Sequence, residues 1–382
     1  MIGIGNRKSA VEYRRQSMIE PVEERTLTRI GVFGLGGAGC NAVNHLMDAN
    51  VAGVEHYAVN TDLQALSMSL SPNKIQIGAQ LTGGLGSGGD PKIGRQAAEE
   101  SIETLRENLA GFDMVFVAAG EGGGTGTGAA PVVAQEAKRQ GALVVAVVTR
   151  PFGFEGRARE QKAAQGIEAL RPHADTLIVL PNQRVLDVYG EQPCFEAFRL
   201  ADEVLLNAVR GIADIVIARQ LINIDFADVR AVMSERGGAV MSVGIASGEG
   251  RATEAAQRAL RSPLIEDVAV ETARKVLLNI TGDERMTLKE VDQAATTVYH
   301  ATNGQADVRM GAARSKLLRD SVKVTLIATG LNEPLPKFDD VQDLLNSADM
   351  FPVARRRLAR ESALAIDKGD LEVPTFLRRQ ID

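Results

Sequence analysis

Tryptophan is absent from this 382-residue chain, aromatic residues make up only 4% of it, and it has two cysteines and four histidines. A basic face interleaved with aromatic rings is therefore not on offer to nucleic acid, and the formal charge of -6 argues the same way. Cys40 and Cys194 lie far apart without metal-ligand spacing. Neither a disulfide framework nor a zinc site is expected, and a reducing cytoplasm fits best. His45, His56, His173 and His300 show no ligand spacing either. The longest apolar runs, such as 142–148, fall far short of the roughly 20 residues that cross a bilayer, and the polar N-terminus has no signal-peptide core. Direct membrane insertion is not expected. No G-x-x-x-x-G-K-[ST] motif occurs, so any phosphate site must do without the lysine of P-loop proteins.

What is present is length, apolar content and clustered glycine. The chain is 45% hydrophobic and longer than the roughly 250 to 300 residues at which single cores stop growing, which suggests two domains. Residues 1–28 are charged and weakly patterned and read as a loose extension. From 29 to 221, apolar runs at 30–33, 54–59, 114–119, 143–148 and 176–180 alternate with helical patterns. That rhythm predicts an α/β fold with a doubly wound parallel sheet. Asp90-Pro91 predicts a helix from 91 to about 109, with Asp90 as N-cap and proline in the first turn. A long helix over 195–219, with Phe198, Ala201, Leu205, Ala208, Val209 and Ile212 on one stripe, is expected to join this domain to a smaller α+β domain at 222–331. In the latter, helices are expected at 228–236 and 252–260 and strands at 240–245, 275–280 and 322–328. Residues 332–370 read as a linker and 371–382 as a short docking peptide.

Glycine, at 38 residues, is concentrated in three short stretches. The first, 34–39, follows a strand and opens a helix, matching G-x-G-x-x-G in the setting that motif requires. Alone it predicts a dinucleotide, with Asp62 about 20 residues on as the ribose ligand of a NAD-dependent oxidoreductase. A tight turn without a ligand would give the same pattern. The stretch 120–128, G-E-G-G-G-T-G-T-G, again lies between a strand and a helix. A NAD enzyme has no use for it. Two such turns in one sheet suggest several phosphates held from both sides by backbone amides, with the Thr125 and Thr127 hydroxyls as extra donors.

The sequence G-G-G-T-G-T-G at 122–128 resembles the signature of the tubulin/FtsZ superfamily, and within it the bacterial cell-division branch, FtsZ. The resemblance spans about 29–331 and resumes at 371. It implies GTP as ligand with Mg²⁺. By this likeness the phosphates are held by Gly36, Gly37, Ala38, Gly39, Cys40 and Asn41 of the first loop, Gly88 and Gly89 of a γ-phosphate loop at 86–91, and Gly123, Gly124, Thr125, Gly126 and Thr127. Asn60-Thr61-Asp62 resembles the segment after the family's second strand. In the stretch 152–159, Glu155 would bind ribose and Arg159 a phosphate, roles that suit a carboxylate facing a diol and a guanidinium facing phosphate oxygens. Asn182 and Asp202 match the positions that read guanine, whose N–H donors and O6 acceptor call for an amide and a carboxylate.

The segment Asn223-Ile224-Asp225-Phe226-Ala227-Asp228 resembles the family's catalytic loop, which enters the nucleotide pocket of the next subunit. As a purely local reading, Asp225 is equally a helix N-cap with Asp228 in the first turn. The resemblance implies that Asp225 and Asp228, with Asn223, complete an active site between subunits, so hydrolysis and head-to-tail filament growth are one event. In the tail, Pro374, Phe376, Leu377, Arg378 and Arg379 resemble the FtsZ peptide that docks on membrane-bound adaptors and regulators, a feature tubulins lack. A frayed terminus is the plainer reading. The expectation is a cytoplasmic GTPase acting at the midcell division site; a specialised paralogue with weak hydrolysis or a non-division role is the alternative. Glu121 departs from the family's uncharged residue and places a possible anion near phosphate, and Gly237-Gly238 replaces a bulkier pattern.

Overall fold

The computed structural model describes residues 28–49, 51, 53–189, 194–217, 221–262 and 270–331. The expected extension, except Thr28, the linker and the docking peptide with Pro374, Phe376, Leu377, Arg378 and Arg379 lie outside the described residues.

Among the described residues ten strands form one sheet in the order β3-β2-β1-β4-β5-β6-β7-β10-β8-β9. Strands β1 (Ile30–Leu35), β2 (Val54–Asn60), β3 (Asn73–Gln76), β4 (Met114–Gly120), β5 (Leu143–Arg150) and β6 (Thr176–Pro181) are mutually parallel. The near-continuous apolar runs of β1, β4 and β5 follow from burial on both faces. Phe33, Leu35, Val117 and Val148 point into one core, and Val32, Phe116, Val145 and Val147 into another. The first is covered by α4 (Pro91–Glu100), α5 (Ile102–Leu109), α6 (Thr125–Arg139) and α7 (Arg157–Leu170). The second is covered by α1 (Gly36–Asp48), α9 (Cys194–Ile217) and α10 (Phe226–Met233). Shorter helices α2 (Leu63–Met68), α3 (Ala79–Thr82) and α8 (Asn182–Tyr189) fill connections.

The smaller half contributes β7 (Gly238–Ser247), β8 (Lys275–Gly282), β9 (Asp307–Arg314) and β10 (Ser321–Leu331), with α11 (Arg251–Leu260) and α12 (Leu288–Ala301). Strand β10 runs antiparallel to both β7 and β8, and β9 lies parallel to β8 at the edge. Its core is separate, built from residues such as Ala255, Leu278, Val298 and Leu326. One parallel pair, Ile178 with Ala239, joins the two halves of the sheet. The architecture is thus the expected one, a doubly wound parallel sheet and a smaller α+β unit with a long helix in between.

Four local differences have physical causes. The expected helix over 91–109 breaks at Ser101, whose hydroxyl accepts a hydrogen bond from the Gly78 amide at 3.0 Å. The short β3 carries little apolar signal, and β9 alternates exposed Asp307 and Arg309 with part-buried Val308 and Met310 over only four residues, as an edge strand does. Helix α12 lacked an expectation although Thr287 and Glu290 form a capping box at its start. Gly237 lies so close to β10 that a Cβ there would sit 2.9 Å from the Leu331 carbonyl oxygen, which excludes a bulkier residue. In α9, Leu205, Ala208, Val209 and Ile212 are buried as the stripe predicts, while the side chains of Phe198, Ala201 and Asp202 lie outside the described residues.

Candidate nucleotide site and the distant carboxylate loop

Because β1 to β6 are parallel, everything that follows them emerges at one carboxyl edge. The strand order reverses between β1 and β4, and such switch points leave a crevice in which open α/β sheets bind ligands. Both long glycine stretches begin there, one after Leu35 and one after Gly120. They meet: a Cβ on Gly36 would stand 2.8 Å from the Gly126 amide nitrogen, and Gly36 has φ +69°, where a side chain is strained. Helix α1 starts at Gly36 and α6 at Thr125, and neither has a side-chain cap on its first-turn amides. Two uncapped helix N-termini facing one crevice make an anion site from backbone N–H groups and aligned dipoles. Gly37, Gly88, Gly89 and Gly123 have open space at their Cβ positions, so a ligand can approach their backbone.

Beneath these amides lies a row of buried hydroxyls. Thr125 Oγ1 is 2.7 Å from Thr61 Oγ1 and 3.0 Å from Ser87 Oγ, and Thr127 Oγ1 accepts from the Gly122 amide at 2.8 Å. The row ties the 60–62, 86–90 and 120–127 segments together. Lys162 on α7 donates to the Gly89 carbonyl at 2.6 Å and holds the third loop from the other side. Cys40 is buried with its thiol against the Gly34 and Val59 carbonyls, and burial pushes its pKa up to about 11. Only its backbone can serve a ligand. Asn41 is exposed beside it, and Ala38 and Gly39 complete the turn.

Glu155 and Arg159 are paired at 3.0 Å, and Glu155 also accepts from the Phe152 amide at 2.9 Å. A ribose hydroxyl and a phosphate would draw on the same two charged groups. Asn182 opens α8 directly after β6, at the same edge of the sheet. Asp62 accepts from the Gln64 and Ala65 amides at 2.8 and 3.1 Å. The carboxylate that a NAD enzyme would aim at ribose is spent here on capping α2.

Glu121 is 3% exposed, wedged where a Cβ on Gly166 of α7 would collide with it and with the Thr127 methyl. Neither carboxylate oxygen completes a hydrogen bond of ordinary geometry, although the Thr127 hydroxyl is near enough to offset some of the desolvation. Burial pushes its pKa up to about 7. The side chain is packed between α6 and α7 and is not displayed on the surface of the loop.

Asn223, Asp225 and Asp228 lie elsewhere. Helix α10 runs under the amino ends of the parallel strands: Arg230 donates to the Asp113 carbonyl just before β4, and Thr176 at the start of β6 donates to the Met233 carbonyl. The glycine stretch follows the opposite end of β4, a strand of 7 residues that spans about 23 Å at roughly 3.3 Å per residue. Asp225 caps α10 by accepting from the Asp228 amide at 2.7 Å, and Asn223 is exposed. The structure therefore gathers the candidate nucleotide residues it describes, Asp202 aside, at one edge of the sheet and puts the carboxylate loop at the other.

Residues 29–190 match the Tubulin/FtsZ family, GTPase domain, and residues 237–332 match the FtsZ family, C-terminal domain. An FtsZ dimer of M. jannaschii, described as empty, is 43% identical over 84% of this chain and 90% of that one, with a TM-score of 0.77. This chain belongs to the FtsZ family. A CetZ2 protofilament from Haloferax volcanii with GTPγS bound shares the fold at 21% identity, covering 84% of this chain and 100% of that one, TM-score 0.69. CetZ1 of the same organism, a GDP-bound monomer, does so at 22% identity, covering 84% and 99%, TM-score 0.69. The FtsZ-family glycine loops are thus the ones that converge at the switch point, whereas Asn223, Asp225 and Asp228 fall between the two matched segments. Sequence reasoning did not single out Thr61, Ser87, Lys162 or Arg309 as individual residues. Each acts across 38 or more residues of chain, and no local spacing announces such a contact.

Proposed function

We propose that this FtsZ-family chain binds and hydrolyses GTP, polymerises head-to-tail into filaments and organises the bacterial division ring from the cytoplasm at midcell. The separation of the two half-sites across the parallel sheet is the observation that carries this reading. A carboxylate loop at the amino ends of strands whose carboxyl ends carry the glycine loops, strands about 23 Å long at roughly 3.3 Å per residue, is out of reach of its own nucleotide. Stacking one subunit on the next brings amino edge to carboxyl edge, a heterologous contact that propagates. The dimer form of the M. jannaschii FtsZ supports self-association.

In this reading the amides of Gly36–Asn41 and Gly123–Thr127 hold phosphate, Glu155 and Arg159 hold ribose and phosphate, and Asn182 and Asp202 read guanine. Asp225 and Asp228 from the neighbour orient the attacking water and polarise it, with Asn223 beside them. Among the described residues no three His, Cys, Asp or Glu side chains cluster as a ready metal cage. Mg²⁺ takes phosphate oxygens and water with only one or two carboxylates; the Ser87 and Thr125 hydroxyls, 3.0 Å apart at the glycine loops, and one carboxylate of the incoming loop would hold it. When bound, it neutralises charge developing on the phosphates. The docking peptide at 371–382 would bind membrane-bound adaptors, with Phe376 and Leu377 as apolar anchors and Arg378 and Arg379 facing acidic rims.

Sedimentation with GTP, GDP, ATP or NAD, with released phosphate measured in parallel, tests the proposal. Pelleting and phosphate release with GTP alone are expected. Hydrolysis without assembly, or NAD binding in place of GTP, would refute it. A specialised paralogue with weak hydrolysis is the alternative reading, which slow turnover in the same assay distinguishes; Glu121, packed between α6 and α7, puts no side chain on the loop surface to support it.

A further inference from the structure

The carboxylate loop does not stand alone at its edge of the sheet. Asp228 Oδ1 forms an ion pair with Arg309 Nη1 at 3.2 Å, and the same guanidinium reaches Asp307 at 3.1 Å. Arg309 belongs to β9, the edge strand, and Asp228 to the first turn of α10, 81 positions earlier in the chain. The two elements are also joined through backbone: the Leu221 and Ile222 amides donate to the Ala312 carbonyl at 2.6 and 3.2 Å, and the Ala312 amide donates back to the Ile222 carbonyl at 3.1 Å. The loop that carries Asn223, Asp225 and Asp228 is therefore pinned to β9 at its start by a short ladder and at its end by Arg309.

Asp225 is fixed locally, because its carboxylate accepts from the Asp228 amide. Among the described residues, the Asp228 carboxylate has no such local anchor. An aspartate in the first turn of a helix can turn about χ1 between staggered positions, and Arg309 is the group that selects one. Charge points the same way. The loop would carry two carboxylates into a pocket holding a triphosphate, in a chain without a phosphate-loop lysine; Arg309 offsets part of that repulsion, its charge being shared between Asp228 and Asp307. Arg309 is half-exposed, with 44% of its side-chain surface free, so it remains in the same interface as the carboxylate it holds.

We propose that Arg309 is a positioning residue for Asp228, holding that carboxylate in the orientation and charge balance it needs when it enters the neighbouring subunit's nucleotide site. The inference rests on the shared-site reading above. It assigns to β9 a part in hydrolysis that nothing in the glycine loops or in the 223–228 segment specifies.

A double-mutant cycle on full-length protein tests it, with phosphate release and pelleting measured together so that the rate is expressed per assembled subunit. Exposed ion pairs contribute little to folding, so Arg309→Ala should fold with an unchanged melting midpoint. Its kcat should fall roughly 10- to 100-fold, the range typical of residues that orient a ligand or catalytic group, while GTP affinity of the unassembled protein stays at the wild-type value. Arg309→Lys should restore part of the rate, because it returns the charge without the fork. In an Asp228→Asn background, Arg309→Ala should cause no further loss, since the group it positions is gone. A wild-type rate in Arg309→Ala overturns the proposal. So does a full additional loss in the Asp228→Asn background, which would mean that Arg309 acts on the nucleotide by itself. If wild-type protein hydrolyses GTP at a rate per molecule independent of concentration, the shared-site reading fails first and this inference with it.

Discussion

Asp225 performs a structural task that its sequence context already suggested, accepting the Asp228 amide at 2.7 Å as the N-cap of α10. Capping alone would tolerate Asn, which caps about as well as Asp. Water activation would not, because an amide lacks the charge. Asp225→Asn is therefore expected to fold and bind GTP normally while losing hydrolysis by roughly 10²- to 10⁴-fold; phosphate release at saturating GTP is the measurement, and wild-type turnover would return the residue to a cap. Glu121 makes a different residue-scale prediction. Its folded pKa of about 7 lies above the 4.5 of an unperturbed glutamate. Between those values the folded chain keeps a proton that the unfolded chain has released, so stability falls as pH rises through that window and levels off above it. Glu121→Gln stays neutral throughout. It should match wild type toward pH 4.5 and exceed it by up to about 3 kcal/mol above pH 7, as read from urea midpoints at pH 5 and 8.

Helices α4 and α6 touch through backbone, and this contact places the third loop. A Cβ on Gly94 would collide with the Gly124 carbonyl, and one on Gly128 with the Pro91 carbonyl. The 86–90 loop enters α4 directly, and a Cβ on Gly124 would strike Ser87, so the spacing of the two helices fixes how that loop meets the 120–127 turn. Gly94→Ala should push them apart, costing roughly 1 to 3 kcal/mol of stability as overpacking does, and should weaken GTP binding without touching a ligand-contacting group. Denaturant unfolding and a nucleotide titration on one sample check both effects. Stability lost with GTP affinity intact would separate helix spacing from the site. The glycine stretches were legible in the sequence because strand, turn and helix N-terminus are local features. The α4–α6 contact was not, since Gly94 and Gly128 carry no sign of which helix lies opposite.

For the molecule as a whole, the two edges of the parallel sheet should be separable by mixing. Thr125→Arg fills the phosphate crevice and removes GTP binding, yet leaves the 223–228 loop intact. Asp225→Asn keeps the crevice and lacks the carboxylate. Neither should hydrolyse GTP alone, and the mixture should regain part of the wild-type rate, because one variant presents its loop to the other's nucleotide. Dilution gives a second check: turnover per molecule should drop toward zero below the concentration at which pelleting stops. A constant rate on dilution would place a complete site in each subunit.

By itself the sequence determined the class of fold and the glycine turns that converge at its switch point, through the alternating strand and helix periods, the N-cap at Asp90 and the two glycine stretches after strands. Those signals are short-range, written in residues that are neighbours along the chain. The tertiary structure decided what depends on distant neighbours. It spent Asp62 on a helix cap, packed Glu121 between α6 and α7 where burial raises its pKa, and gave Asp228 a partner on an edge strand whose short alternation had hidden it. It also placed the carboxylate loop and the glycine turns at opposite ends of the parallel sheet, because parallel pairing sends every connection after a strand to one edge and every connection before it to the other.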